Sequence, residues 1–176
     1  MADKTIHRFG VPTGLPRTGQ VTSYVDYDDA YYEAGIPVGA KVRFIDNADG
    51  TITDKVTGLI WAKDGNGAGC NNGNTIQWAD ALIWAEGLTF AGHSDWRLPN
   101  AYELFSICLL EPTHYDPFID TTFFPNTRSD FYWSATTYPA STSAALSVYF
   151  NYGGVYGYDK TNNHNVRAVR GGQLNL

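Results

Sequence analysis

Three sets of residues in this chain have types and spacings that could do chemistry. The first is the acid series Asp46, Asp49 and Asp54 in DNADGTITD, spaced like a calcium loop. An EF-hand loop needs an oxygen ligand where this segment has Ala48, so the stretch reads as turn chemistry and no metal site is predicted. The second set is Cys70, Cys108 and the histidines His93, His114 and His164. The cysteines lack metal-ligand spacing and read as buried thiols, with a disulfide between them as the alternative. No histidine stands beside a Ser or Cys motif, so the sequence predicts no catalytic residue and no cofactor. The third set is the tail from Phe131 to Gly172. There an apolar skeleton (Trp133, Leu146, Val148, Phe150, Val155, Val166, Val169) is threaded with Tyr, Asn, Ser, Thr, Asp and His. Tyr gives rigid amphipathic contact area and Ser, Gly and Asn give adaptable hydrogen bonds, which is the composition of a binding surface.

Asp95 and Arg97 flank Trp96 just before a capped helix. The pattern predicts a buried Asp95–Arg97 ion pair beside an aromatic anchor, structural rather than catalytic, since buried charges persist when paired.

The bulk composition bounds the partners. The 176 residues are 43% hydrophobic, 15% aromatic and only 17% charged, with net charge −6. A chain rich in Tyr and Trp and poor in charge is expected to be β-rich, one domain with short appendages. Nucleic-acid affinity rests on clustered cations, so a nucleic-acid partner is not expected. No apolar run approaches the roughly 18 residues that cross a bilayer, so no membrane insertion is expected. MADKTIHRFGVPTG has no apolar core of a secretory signal. The expectation is a chain made and folded in a cytoplasm, with a phage particle as a further destination.

The elements that must position these residues follow from pattern. Residues 1–41, rich in Gly, Pro, Thr and Tyr, read as an arm laid on the domain, including the acidic aromatic patch Tyr24 to Tyr32. Val42 to Ile45, Thr51 to Asp54 and Leu59 to Ala62 read as strands of a meander, with Gly50 suited to a positive φ. A first helix is expected after an Asn74 cap with Gln77 closing a capping box, its apolar face on Ile76, Ala79, Leu82, Ile83 and Leu88. A second is expected after Asn100 with Glu103, burying Leu104, Phe105, Cys108 and Leu109 and stopping before Pro112. In the tail, alternation sends Leu146, Val148 and Phe150 inward and Ser147 and Tyr149 outward. The domain is expected over 42–172, with a short tail at 173–176.

Several motifs coincide in order: Val42 to Trp61 (VRFIDNADGTITDKVTGLIW), Gly92 to Leu104 (GHSDWRLPNAYEL), Tyr132-Trp133-Ser134 and Val166 to Gly171 (VRAVRG). Together they resemble the collagen-like adhesin C-terminal family across about residues 16–172. Thr18-Gly19-Gln20 and Asp28-Asp29 resemble the leader such domains carry. The resemblance implies an α+β, C-type-lectin-like fold with two helices and twisted antiparallel sheets, related to formylglycine-generating enzymes. Arg97-Leu98-Pro99 resembles the Arg-Leu-Pro lead into a helix in those enzymes. Oxidase activity is not carried over, because no late pair of redox cysteines is present and Cys70 and Cys108 lie outside the corresponding region. Trp61, Asp95, Trp96, Arg97, Trp133, Arg167 and Arg170 fall in the scaffold motifs, and Trp61, Trp96 and Trp133 are expected to be largely buried.

The tail also resembles the variable region of a diversity-generating retroelement target, in which adenine-directed mutagenesis rewrites Asn-type codons. Tyr138, Ser141, Tyr149, Asn151, Tyr152, Tyr156, Tyr158, Asp159, Asn162, Asn163 and His164 fit that palette. They form the expected ligand-binding set, clustered on one solvent-exposed face toward a protein or glycan. The competing expectations are a structural phage or surface assembly protein and an enzyme of formylglycine-generating type. Oligomeric state is left open at this point.

Overall fold

The computed structural model of this chain describes residues 15–20, 22–32, 43–111 and 116–171. Of the expected arm, 15–20 and 22–32 are described; the tail at 173–176, Val42, Pro112 and His114 lie outside the described residues.

Strands β1 (Phe44–Asp46), β2 (Thr51–Asp54) and β3 (Ile60–Ala62) form an antiparallel meander, and β9 (Val169–Arg170), the last strand among the described residues, pairs antiparallel with β3. The β1–β2 turn is made by its own side chains. Asp46 accepts from the Ala48 amide and Asp49 from the amide and hydroxyl of Thr51, while Ala48 and Gly50 take positive φ. Asp46 also binds Lys63, and Asp54 binds Arg43, so the acid series is spent on turn and ion-pair contacts. Among the described residues no group of three or more His, Cys, Asp or Glu is gathered as a metal would need.

The first long helix differs from expectation. α2 (Trp78–Glu86) starts after Gln77, which makes no side-chain cap, and Asn74 instead follows a 3-10 segment over Ala68–Gly73. The reason lies across the fold: Ile76–Gln77 is held extended as β4 by pairing with β8 (Asn163–His164). Its buried stripe is Ala81 and Ala85, flanked by Trp78 and Leu82, a proper 3.6 period, whereas Ile83 is 71% exposed and Ala79 is also exposed. The second expected helix is α3 (Ala101–Phe105), with the Asn100–Glu103 capping box in place. It stops at Phe105, so Cys108 and Leu109 are buried beyond its end rather than on its face. One further turn of helix, α1 (Asp29–Tyr32), lies in the N-terminal segment, where Asp28 accepts from the Tyr31 amide. Residues 15–20 run beside 109–111, with the Thr18 carbonyl accepting from Leu110.

The third sheet is the antiparallel meander β5 (Phe131–Thr137), β6 (Ala144–Tyr149) and β7 (Gly154–Asp159), with a register shift between Trp133 and Thr137. The architecture is therefore α+β and dominated by antiparallel sheet. Three apolar clusters hold it together, and each has one tryptophan at its heart. Trp61 packs with Phe44, Ile52, Leu104, Phe150 and Val169; Trp133 with Ala81, Ala85, Leu98 and Val166; Trp96 with Ala62, Cys70 and Ala168. All three are at most 1% exposed, as expected from their motifs. Cys70 and Cys108 are free and buried in separate clusters, and burial pushes both thiols above their usual range.

Candidate binding surface

The register of the β5–β7 sheet decides which tail residues meet. Phe131 lies opposite Tyr149 and Trp133 opposite Ser147; Ser147 in turn lies opposite Tyr156 and Ala145 opposite Tyr158. Alternation puts all of these on one face. There the Phe131 ring stacks on Tyr149 at 4.0 Å and meets Tyr158 at 4.4 Å and Tyr156 at 6.1 Å. Tyr152, in the β6–β7 turn, stands edge-on to Tyr149 at 5.4 Å. Tyr152 is 70% and Tyr156 45% exposed, and Tyr149 and Tyr158 are partly covered.

Under the aromatic layer sits His164. Its ring stacks on Trp133 at 4.0 Å and on Phe131 at 5.3 Å, and Nδ1 lies 2.9 Å from Ser147 Oγ. His164 is 7% exposed and Ser147 is closed to solvent. This corrects two expectations. His164 is not on the solvent-exposed face, and Ser147 does not point into water, because β6 is the central strand and both faces of its middle are covered. Val148 and Phe150 are buried and Leu146 partly so. Burial lowers the His164 imidazole to about 4, against a smaller upward pull from Asp130, so the ring is neutral near pH 7. Burial, then Tyr152, Asp130, Tyr158 and Asp116, raise the Tyr149 phenol above its ordinary range.

Tyr138 is also placed elsewhere than expected. A Cβ on Gly157 would meet the Tyr138 ring at 2.8 Å, and Gly157 points to the face opposite Tyr156 and Tyr158, so Tyr138 lies on the reverse of the sheet. Only Gly allows that ring to lie so close to the strand. Ser141 bonds Ser143 in the β5–β6 turn, and Asn151 bonds Ser129. Asp159 is exposed and held below the usual carboxylate range by the amide and hydroxyl of Thr161; Asn162 and Asn163 are exposed beside it. The fold thus gathers Tyr149, Tyr152, Tyr156 and Tyr158, sets Asp159, Asn162 and Asn163 at the far end of β7, and separates Tyr138.

The scaffold residues also re-pair. Asp95 does not bind Arg97: it binds Arg170, through bonds of 2.7 and 3.0 Å, and is exposed. That pairing pulls the Asp95 carboxyl below its usual range. Arg97 binds Glu103 and the Gly171 carbonyl. Arg167 is fully buried, donating to the Ala62 and Lys63 carbonyls and to the Thr127 hydroxyl. His93 is exposed, in a bridge with Phe90.

Sequence reasoning missed Phe131, the ring that joins the cluster, although its i, i+2 spacing to Trp133 placed it on the Trp133 face. It also missed the buried Arg43–Asp54 pair and Lys160, whose ammonium lies 4.0 Å over the Trp78 ring and bonds Thr137 and the Thr142 carbonyl.

Among the described residues no helix is long and apolar enough to cross a membrane. No curated protein matches the chain. Residues 50–170, well over half of the 176, match the family described as the Lcl C-terminal domain. They include β2, the Asp95–Leu104 motif and the whole tyrosine-bearing sheet, and the chain belongs to the Lcl C-terminal domain family.

Proposed function

We propose that this chain is a non-enzymatic binding protein of adhesin or receptor type, and that the tyrosine face of the β5–β7 sheet is where its protein or glycan ligand docks. One observation carries the reading: Tyr149, Tyr152, Tyr156 and Tyr158 form a ring cluster, Tyr158 joined to it through Phe131, whose outer members, Tyr152 and Tyr156, are 70% and 45% exposed. Exposed aromatic area of this kind marks contact sites, and Tyr is enriched at binding hot spots. The Ser147–His164 pair has the spacing of a nucleophile and its base, but both side chains are shut away from any substrate.

The retroelement reading rests on a contrast in burial. All the palette positions except His164 are at least partly exposed, while Ala145, Ser147, Val148 and Phe150 between them, and Val166 to Val169 after them, are buried. Such a surface can vary without touching the core. A C-type-lectin-like arrangement is supported by the closing pair of β3 with β9, which brings the last strand back to the first sheet.

The test is a glycan and peptide array probed with the intact chain, then with Tyr152→Ala/Tyr156→Ala. The expected result is a ligand lost by the double variant while its thermal melt is unchanged. Retention of that ligand by the variant overturns the reading. A change in self-association alone identifies the face as an assembly contact instead.

A further inference from the structure

The rings of this face are arranged as walls rather than as a platform. Tyr149 meets Tyr152 at 68° and Tyr156 at 77°, and Phe131 meets Tyr156 at 89°. Sugar stacking uses one flat ring face, whereas a compact cation is held best where several ring faces turn inward. The carboxylates that act on Tyr149 bring one sign of charge to these walls. Asp130 immediately precedes Phe131, its carbonyl accepts from the Phe150 amide, and its carboxylate acts on both Tyr149 and His164. Asp116 is brought to the same end because Phe118 donates to the Phe150 carbonyl, and its charge also reaches Tyr149. Both acids are exposed, and neither has an ion-pair partner among the described residues. Among the described residues no cation-π contact involves these rings. Lys160 sits over Trp78 at the other end of β7, and the Arg128 guanidinium lies 3.2 Å from where a Gly73 Cβ would be. The chain as a whole carries −6.

We propose that the Tyr149–Tyr152–Tyr156 corner binds an arginine- or lysine-bearing segment of a protein partner, the cation seated against the rings and balanced by Asp130 and Asp116. This rests on the binding role of the tyrosine face proposed above and adds the chemistry of its ligand. The face is open sheet surface with Tyr152 projecting from it, which suits a protruding side chain of a macromolecule better than an enclosed small molecule. Exposed carboxylates beside the rings steer cations in and keep anions out.

The experiment is selection of a random peptide library on the intact chain, followed by titration of the selected peptides as synthetic probes. The expected sequences are enriched in Arg or Lys. Replacing those residues by citrulline or acetyl-lysine is expected to weaken binding about tenfold or more, as is raising salt to about 0.5 M. The Asp116→Asn/Asp130→Asn chain, checked for an unchanged melt, is expected to lose about fivefold or more. If it binds the selected peptides as tightly as the parent while Tyr152→Ala/Tyr156→Ala loses them, the cation assignment falls and the binding face stands. If the tyrosine variant binds unchanged, both fall. Recovery of acidic or uncharged peptides, or of none, overturns the cation assignment.

Discussion

Arg97 is clamped to Glu103, through bonds of 2.8 and 2.7 Å, and not to Asp95 two residues away. In a strand-like segment, side chains at i and i+2 share a face but stand apart, whereas a carboxylate on the first turn of the following helix can fold back onto the guanidinium. Glu103 also accepts from the Asn100 amide, so one carboxylate joins the capping box, Arg97 and, through Arg97, the Gly171 carbonyl just after β9. Arg97→Ala is therefore expected to destabilise by about 1–2 kcal/mol, because the pair is only partly exposed and a charged partner is orphaned. Asp95→Ala, at an exposed pair, is expected to cost under about 1 kcal/mol. Urea unfolding of both variants checks the order; equal losses would mean the Glu103 clamp is no more than a surface contact.

The Arg43–Asp54 pair lies wholly out of solvent, with Arg43 also donating to the Ser106 carbonyl. Asp54→Ala is expected to cost about 3–5 kcal/mol by leaving an unpaired buried guanidinium. Replacing both partners, Arg43→Met with Asp54→Leu, is expected to recover much of that loss. Denaturation midpoints of the single and double variants decide it, and a double variant no better than Asp54→Ala refutes the account.

His164 sets an acid limit on the fold. Its folded pKa is near 4, against 6.5 for a free imidazole, so the native state resists the proton that the unfolded chain accepts. Stability from this group is complete above pH 6.5 and is lost as the pH falls toward 4, by about 3 kcal/mol at the lower end. Urea midpoints taken down this window are expected to fall for the parent and to fall less for His164→Gln. Parallel profiles would assign the acid loss to carboxylates alone.

Gly65 is fixed by backbone, not by its own conformation. A Cβ there would lie 2.1 Å from the Asn126 carbonyl oxygen, while Gly65 itself donates to the Pro125 carbonyl. Gly65→Ala is expected to cost about 2 kcal/mol or more, since two backbone segments must separate. Gly154→Ala is a useful contrast: the atoms nearest its Cβ all belong to the Tyr156 side chain, the first at 2.6 Å, and an exposed ring can turn aside. Thermal melts showing equal losses would contradict this distinction.

Tyrosine has two roles in this chain, and single substitutions are expected to separate them. Tyr132 is 1% exposed, packs edge-on to Phe150 and accepts from the Arg128 amide. Tyr132→Ala is expected to cost about 3–5 kcal/mol, and Tyr152→Ala within about 0.5 kcal/mol. Comparable melting temperatures for the two variants would mean that Tyr152 is part of the packed structure.

Where the controlling interaction is local, it was legible in the sequence. The β1–β2 turn needs only the Asp46 and Asp49 side chains and a glycine, and the α3 start needs only Asn100 and Glu103, all within a few residues of one another. The three anchor tryptophans were legible too, because a large ring inside an apolar motif has nowhere cheaper to go than the core. The β6 strand followed from alternation alone. What stayed hidden depends on partners far along the chain. Ile76–Gln77 became a strand because Asn163–His164 lies beside it; Asp95 chose Arg170, 75 residues on; Tyr138 went to the reverse face because register set Gly157 opposite Leu146. His164 carries the palette of a surface residue and sits under one, stacked on Trp133, because alternation tells only which residues share a face, while the neighbouring strands and loops decide whether that face meets water.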